Sequence, residues 1–145
     1  MTNKLDMTNI SDSEWEVMRI VWTLDQAYSA DIIKQLQAKK DWSESTIKTL
    51  IRRLVQKGFL QTSQDGRRLI YSPTVSQTEM MYQETKKLLD RMCDMHKGEV
   101  LIKLLKDSPV SKGDLMKLEL EIKTKEKTAP ETVPCNCLSK GVRTC

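Results

Sequence analysis

The chain has 145 residues, with 24 Lys and Arg against 20 Asp and Glu for a formal net charge of +4, a length that allows one ordinary domain or a small one of about 70 residues with an oligomerisation module. No run approaches the ~18 apolar residues that span a bilayer, and the polar opening Met1-Thr2-Asn3-Lys4-Leu5-Asp6 is no signal peptide, so no membrane partner is expected and the expected location is the cytoplasm. The basicity is local: six Lys and Arg against two acids between positions 43 and 72 carry +4 by themselves, which points to an anionic partner at one surface.

In chain order, Ser11 and Glu14 stand at capping-box spacing ahead of a helix whose Trp15, Met18 and Trp22, with Val21 beside them, form a core face. Tyr28-Ser29 supplies a short strand, and Ser29 or Ala30 opens a second helix that buries Ile32, Ile33 and Leu36. After the turn at Asp41-Trp42 comes the most telling stretch, a helix over 43–58 with Ser43 as its N-cap and Gly58 just past its end. Ile47, Leu50, Ile51, Leu54 and Val55 recur at i, i+3, i+4, i+7 and i+8 and make one buried stripe. The opposite face keeps Ser45, Thr46, Lys48, Thr49, Arg52 and Arg53. Short hydroxyls approach base edges and phosphates, and Arg binds guanine bidentately or neutralises the backbone. Strands over 59–64 and 67–72 flank Asp65-Gly66, the dipeptide that favours a tight type I′ turn, and put Arg67 and Arg68 at the tip, where a wing touches phosphates or the minor groove. Three helices and a two-stranded wing over residues 10–73 give the expected fold class: mainly α with a small β-wing, a winged helix-turn-helix over residues 1–75 that reads double-stranded DNA.

From residue 76 to 125 the pattern becomes three helices, roughly 77–96, 99–106 and 112–125, divided near Gly98 and at Ser108-Pro109. Stripes such as Leu101, Leu104 and Leu105 need a partner, and helices this short are marginal alone. Packing against a second copy buries them, and a symmetric homodimer suits a helix-turn-helix that reads two half-sites. The methionines at helical spacing are core filling rather than Cu(I) ligands. Residues 126–134, with Pro130 and Pro134, read as a linker, so 126–145 is a linker and a cysteine-rich tail.

That tail holds Cys135, Cys137 and Cys145. In a reducing compartment clustered thiols suggest soft-metal binding, Zn(II) or Cu(I), and Gly141 lets the chain fold Cys145 back. Tetrahedral Zn(II) wants four ligands. Cys135 and Cys137 from both subunits of a dimer supply four, whereas Cu(I) is content with two or three; the competing reading is an oxidisable tail without metal. Cys93 and His96 stand three apart on a helix but read as a buried Cys beside a partly exposed His, not as ligands. Enzymatic work lacks its groups, since His96 is the only histidine and falls in the expected dimerisation region.

The runs Ser13-Glu14-Trp15-Glu16-Val17-Met18-Arg19-Ile20-Val21-Trp22, Asp41-Trp42-Ser43 with Ser45-Thr46-Ile47-Lys48-Thr49-Leu50, and Arg53-Leu54-Val55-Gln56-Lys57-Gly58-Phe59-Leu60 resemble the penicillinase-repressor family of BlaI and MecI type. The cysteine tail is most similar to its copper-responsive CopY-type branch. The resemblance implies a homodimeric repressor on an inverted repeat of the TACAnnTGTA kind upstream of copper-transport genes. It implies that Zn(II) on tail cysteines supports DNA binding, and that Cu(I), delivered by a chaperone, replaces it and causes release. It places Ser43, Ser45, Thr46, Lys48, Thr49, Arg52 and Arg53 at recognition-helix positions, Arg67 and Arg68 on the wing, and Cys135, Cys137 and Cys145 at the metal. The branch's second C-x-C pair is reduced here to Cys145 after a seven-residue gap. The alternatives are a β-lactam-responsive repressor inactivated by proteolysis, typically at an Asn-Phe bond that this chain lacks, and a metal-independent DNA-binding protein.

Overall fold

The computed structural model describes residues 10–140 and Cys145; the opening at 1–6 and the proposed fold-back point Gly141 lie outside the described residues. The chain divides into two compact units, Met1–Thr85 and Lys86–Cys145.

The first unit runs α1 (Asp12–Leu24), β1 (Ala27–Tyr28), α2 (Ser29–Gln37), α3 (Glu44–Gln56), β2 (Leu60–Asp65), β3 (Arg68–Pro73) and the start of α4 (Gln77–Asp90). Local chemistry sets most of these boundaries. Ser11 and Glu14 form the expected capping box, with Glu14 N–H donating to Ser11 Oγ at 3.1 Å and Ser11 N–H to Glu14 Oε1 at 3.4 Å. Helix α3 ends in a Schellman motif: Gly58 takes φ 86°, its N–H donates to Val55 O at 3.1 Å, and Phe59 N–H reaches Leu54 O at 3.0 Å. The apolar stripe of α3 is buried at Ile47, Leu50, Ile51 and Leu54, against Val17, Met18 and Val21 of α1, Ile32 and Leu36 of α2, and Phe59. Trp15 and Trp22 flank this core edge to face, centroids 5.4 Å apart, and Trp22 Nε1–H donates to Val75 O at 2.9 Å.

The sheet departs from expectation in two details. It has three strands in the order β1-β3-β2, all antiparallel, because Ala27 and Tyr28 pair with Tyr71 and Ile70. The hairpin turn also sits one residue later than Asp65-Gly66: Asp65 faces Arg68 in register, leaving Gly66-Arg67 as the two loop residues. Gly66 has φ 63° while Arg67 keeps the ordinary negative φ, the arrangement of a type II′ turn with glycine first.

Glu14 ties the two ends of this core together. Its side chain is nearly fully buried, and Lys57 Nζ, at the end of α3, donates to both carboxylate oxygens at 2.8 Å. Burial pushes the carboxyl up from its ordinary 4.5, but the bonds from Lys57 and Ser11 outweigh it and the net shift is down. A depressed carboxyl stabilises the fold fully above its unfolded value and loses that contribution as pH falls through the lower, folded value. Glu14→Gln therefore costs about 2 kcal/mol at neutral pH, and the gap to wild type narrows as pH drops below about 4.5. Urea midpoints measured between neutral and acid pH check this; a gap that stays constant across the range contradicts it.

The second unit contains the end of α4, then α5 (Asp94–Asp107) and α6 (Lys112–Glu126). The division expected near Gly98 falls instead at residues 91–93, and Gly98 lies inside α5. An interior glycine costs a helix only about 1 kcal/mol. Cys93, with ψ 127°, is the N-cap residue. The stop at Ser108 is as expected, since Pro109 drives the preceding residue out of the helical region and Ser108 has ψ 138°. Neither α5 nor α6 has a buried residue; Leu101, Ile102, Leu120 and Ile122 stay more than half exposed. No helix among the described residues is long and apolar enough to cross a membrane.

Candidate nucleic-acid interface and thiol cluster

Helix α3 presents one face to the core and the other to solvent. At 100° per residue, Ser45, Thr46, Lys48, Thr49, Arg52 and Arg53 fall within an arc of roughly 160° opposite the buried stripe. All are exposed except the half-buried Thr49. Their hydroxyls are pre-arranged by local bonds. Ser43 Oγ accepts from Thr46 N–H at 3.2 Å and lies 2.9 Å from Thr46 Oγ1 and 3.1 Å from Ser45 Oγ, so Ser43 is engaged as the cap. Thr49 Oγ1–H donates to Ser45 O at 2.9 Å, leaving its lone pairs outward. Lys48 pairs with Glu44 at 3.0 Å, both exposed, a contact of little energetic weight. Ser45, Thr46, Thr49 and Arg53 line one shallow depression over Leu50. An anion laid along this helix meets hydroxyls at its front and two guanidinium groups behind them.

On the hairpin, Arg67 occupies the turn and Arg68 the first position of β3. Sequence reasoning missed what holds Arg68: its guanidinium stacks 3.6 Å from the centroid of the Tyr28 ring, and the Tyr28 hydroxyl donates to Asp65 Oδ2. That bond raises the Tyr28 hydroxyl above its ordinary 10.0. The pairing of β1 with β3 brings these residues together, so no local pattern announces them.

The second unit gathers Cys93, Cys135, Cys137 and Cys145, with all four sulfurs within 4.8 Å of one another. Cys93 Sγ lies 3.3 Å from Cys145 Sγ, Cys137 Sγ 3.9 Å from Cys145 Sγ, and the Cys137 N–H donates to Cys135 Sγ at 3.4 Å. Cys135 is buried, Cys93 half-buried, and the other two exposed. Cys93, expected to be buried, is therefore only half-buried, and its sulfur sits among the three tail thiols. His96 is exposed, with Nε2 3.4 Å from Cys145 Sγ. The one sequence signal for Cys93 was arithmetic: the chain has four cysteines, the number a tetrahedral soft-metal site uses.

Protons and thiolates compete within this cluster. Desolvation pushes Cys93 up, but hydrogen bonding with Cys145 foremost, and with Cys137, brings it down to about 6. Hydrogen bonds with Cys135 and Cys93 raise Cys137 to about 11, and Cys145 is raised too. Cys93 therefore ionises most readily, and ionisation of Cys137 and Cys145 beside it is resisted, as expected where like charges crowd. A cation removes that resistance. With Zn–S bonds of about 2.3 Å, the sulfurs of a tetrahedral site are about 3.8 Å apart, so these thiols fit a soft ion after small shifts.

The penicillinase repressor family model matches residues 10–124. The chain is 50% identical over 129 residues to an uncharacterised 16.5 kDa protein in the ptsI 3′ region of Latilactobacillus sakei, covering 89% of this chain and 88% of that one. It is 31% identical over 109 residues to the methicillin resistance regulatory protein MecI of Staphylococcus aureus strain N315, covering 75% and 89%. Among solved structures, a CopR repressor shares 40% identity over 47% of this chain and 99% of its own, with a TM-score of 0.41.

Proposed function

The chain belongs to the penicillinase repressor family, whose members are DNA-binding transcriptional repressors rather than enzymes, and we propose that it is a copper-responsive one. In this reading a cytoplasmic homodimer binds an inverted-repeat operator of the TACAnnTGTA type. The α3 face reads the major groove through Ser45, Thr46, Thr49, Arg52 and Arg53, Lys48 and the Ser43 cap assist at its front, and Arg67 and Arg68 touch flanking phosphates. The exposed apolar surface of α5 and α6 is the dimer contact. Zn(II) held by cysteine thiolates supports DNA binding, and Cu(I), brought by a copper chaperone, displaces it and releases copper-transport genes from repression.

The observation that carries the metal response is the gathering of four sulfurs within 4.8 Å. A repressor switched by proteolysis has no use for such a cluster. Thiolates select Cu(I) and Zn(II) over hard cations, and a tenfold change in operator affinity needs only about 1.4 kcal/mol of coupling.

The test is fluorescence anisotropy of a labelled operator duplex in anaerobic buffer, titrating Cu(I) with and without Zn(II). The expected result is tight binding that Cu(I) weakens at least tenfold and Zn(II) restores. Cys135→Ser/Cys137→Ser keeps operator binding at the level of the metal-free protein and loses the copper response. A double variant still released by Cu(I) overturns the sensor assignment, and tight binding indifferent to both metals favours a metal-independent repressor.

A further inference from the structure

We propose that Cys93 completes the metal site within a single protomer, and that the number of thiolates the bound ion demands decides whether Cys135, Asn136, Cys137 and Cys145 stay docked on the N-terminus of α5. The proposal rests on the metal-responsive reading above and adds the device that senses which ion is bound.

The segment brings three thiols of its own. A four-coordinate ion requires another, and α5 presents it 52 residues upstream of Cys145. Cys93 is the N-cap residue of α5, yet its side chain makes no capping hydrogen bond, and its sulfur faces the segment instead. The cap it does not supply comes from Asn136, whose Oδ1 accepts the Asp94 N–H at 3.0 Å. Asn136 stands between Cys135 and Cys137, so gathering the thiols and capping the helix are one geometric event. Cys93, Cys135, Cys137, Cys145 and Asn136 all belong to the second unit. Negative charge on the sulfurs lies at the positive end of the α5 dipole, where it is favoured.

The two ions make different demands on this arrangement. Cys135, Cys137 and Cys145 are near neighbours in the chain, so an ion that gathers these three closes only short loops. Recruiting Cys93 closes a much longer loop and orders the segment against the helix, at an entropic cost. A tetrahedral ion gains a fourth bond that offsets this cost. An ion satisfied by two or three thiolates gains nothing from Cys93, so the segment leaves α5 and the Asn136 cap leaves with it. The ion's preferred coordination number thus becomes an ordered or frayed first turn of α5, on a helix that carries part of the exposed apolar surface.

The experiment uses the full chain freed of metal, with Co(II) as the spectroscopic probe for the tetrahedral site and hydrogen exchange as the readout of docking. Thiolate-to-cobalt charge-transfer intensity counts ligating sulfurs. Wild type is expected to show four and Cys93→Ser three, with Zn(II) affinity falling by more than the roughly 10–100-fold that partners outside a ligand set contribute. Serine is a strong N-cap residue, so this variant retains α5 and its loss of metal is not a loss of fold. Zn(II) is expected to protect the amides of residues 94–97 in wild type and not in Cys93→Ser, and Cu(I) to abolish the protection. Four thiolates persisting in Cys93→Ser, or one zinc shared by two protomers in native mass spectrometry, overturns the proposal. If Cu(I) releases operator DNA while residues 94–97 stay protected, the metal-responsive reading stands and the docking device fails. If the chain binds neither ion, both fail.

Discussion

Removing the two guanidinium groups of α3 is expected to abolish operator binding at physiological salt. Arg52 and Arg53 are exposed and show no acidic partner among the described residues, unlike Lys48, which Glu44 already partly neutralises. An arginine that reads a base edge is worth about 1–3 kcal/mol, roughly 5–150-fold in affinity, and each protomer of a dimer contributes one copy of each side chain. Arg52→Ala and Arg53→Ala separately are expected to fall in that range, and the double variant to lose more. Anisotropy titrations at several salt concentrations separate the roles: loss of a phosphate contact lowers the slope of log affinity against log salt by about 0.9 per side chain. Loss of a base contact relaxes discrimination against altered operators. Lys48→Ala serves as the weak control. A double variant that binds the operator like wild type removes α3 as the reading helix.

The largest stability effect is expected at Phe59. It is the chain's only phenylalanine, it is fully buried, and it sits at the joint between α3 and β2. Its N–H closes the Schellman motif on Leu54 O at 3.0 Å and its carbonyl accepts Thr74 N–H at 3.0 Å. The ring therefore fills the core at the point where α3 hands over to the hairpin. Phe59→Ala leaves a cavity worth about 3–5 kcal/mol, a large share of the about 5–15 kcal/mol that holds a domain folded. Phe59→Leu, which preserves most of the volume, costs less than about 1.5 kcal/mol. Urea denaturation followed by tryptophan fluorescence reports on this unit directly, because Trp15 and Trp22 pack against the same core. A Phe59→Ala loss below about 1 kcal/mol would show that the ring is not a structural joint.

The winged-helix half was legible residue by residue because its determinants are local. The Ser11 and Ser43 caps, the apolar period of α3 and the glycine after Lys57 each act within a turn or two of the chain, and each appears where the sequence places it. The wing was legible as a hairpin but its turn was displaced by one residue, because either Asp65-Gly66 or Gly66-Arg67 offers a glycine for positive φ. Strand register makes the choice, through pairs such as Leu60 with Pro73 and Thr62 with Tyr71. The clamp of Tyr28 on Arg68 was illegible for the same reason, since it depends on which strand lies next to β3.

The sequence by itself determined the fold class, the composition of the α3 face and the presence of enough thiols for a soft metal. Those follow from residue type and short-range spacing. Only the tertiary structure decided that Cys93 joins the three thiols of the segment and that Asn136 caps the helix Cys93 begins. No pattern along the chain couples residues 52 positions apart; such a contact exists only once the intervening helices have folded and brought their ends together.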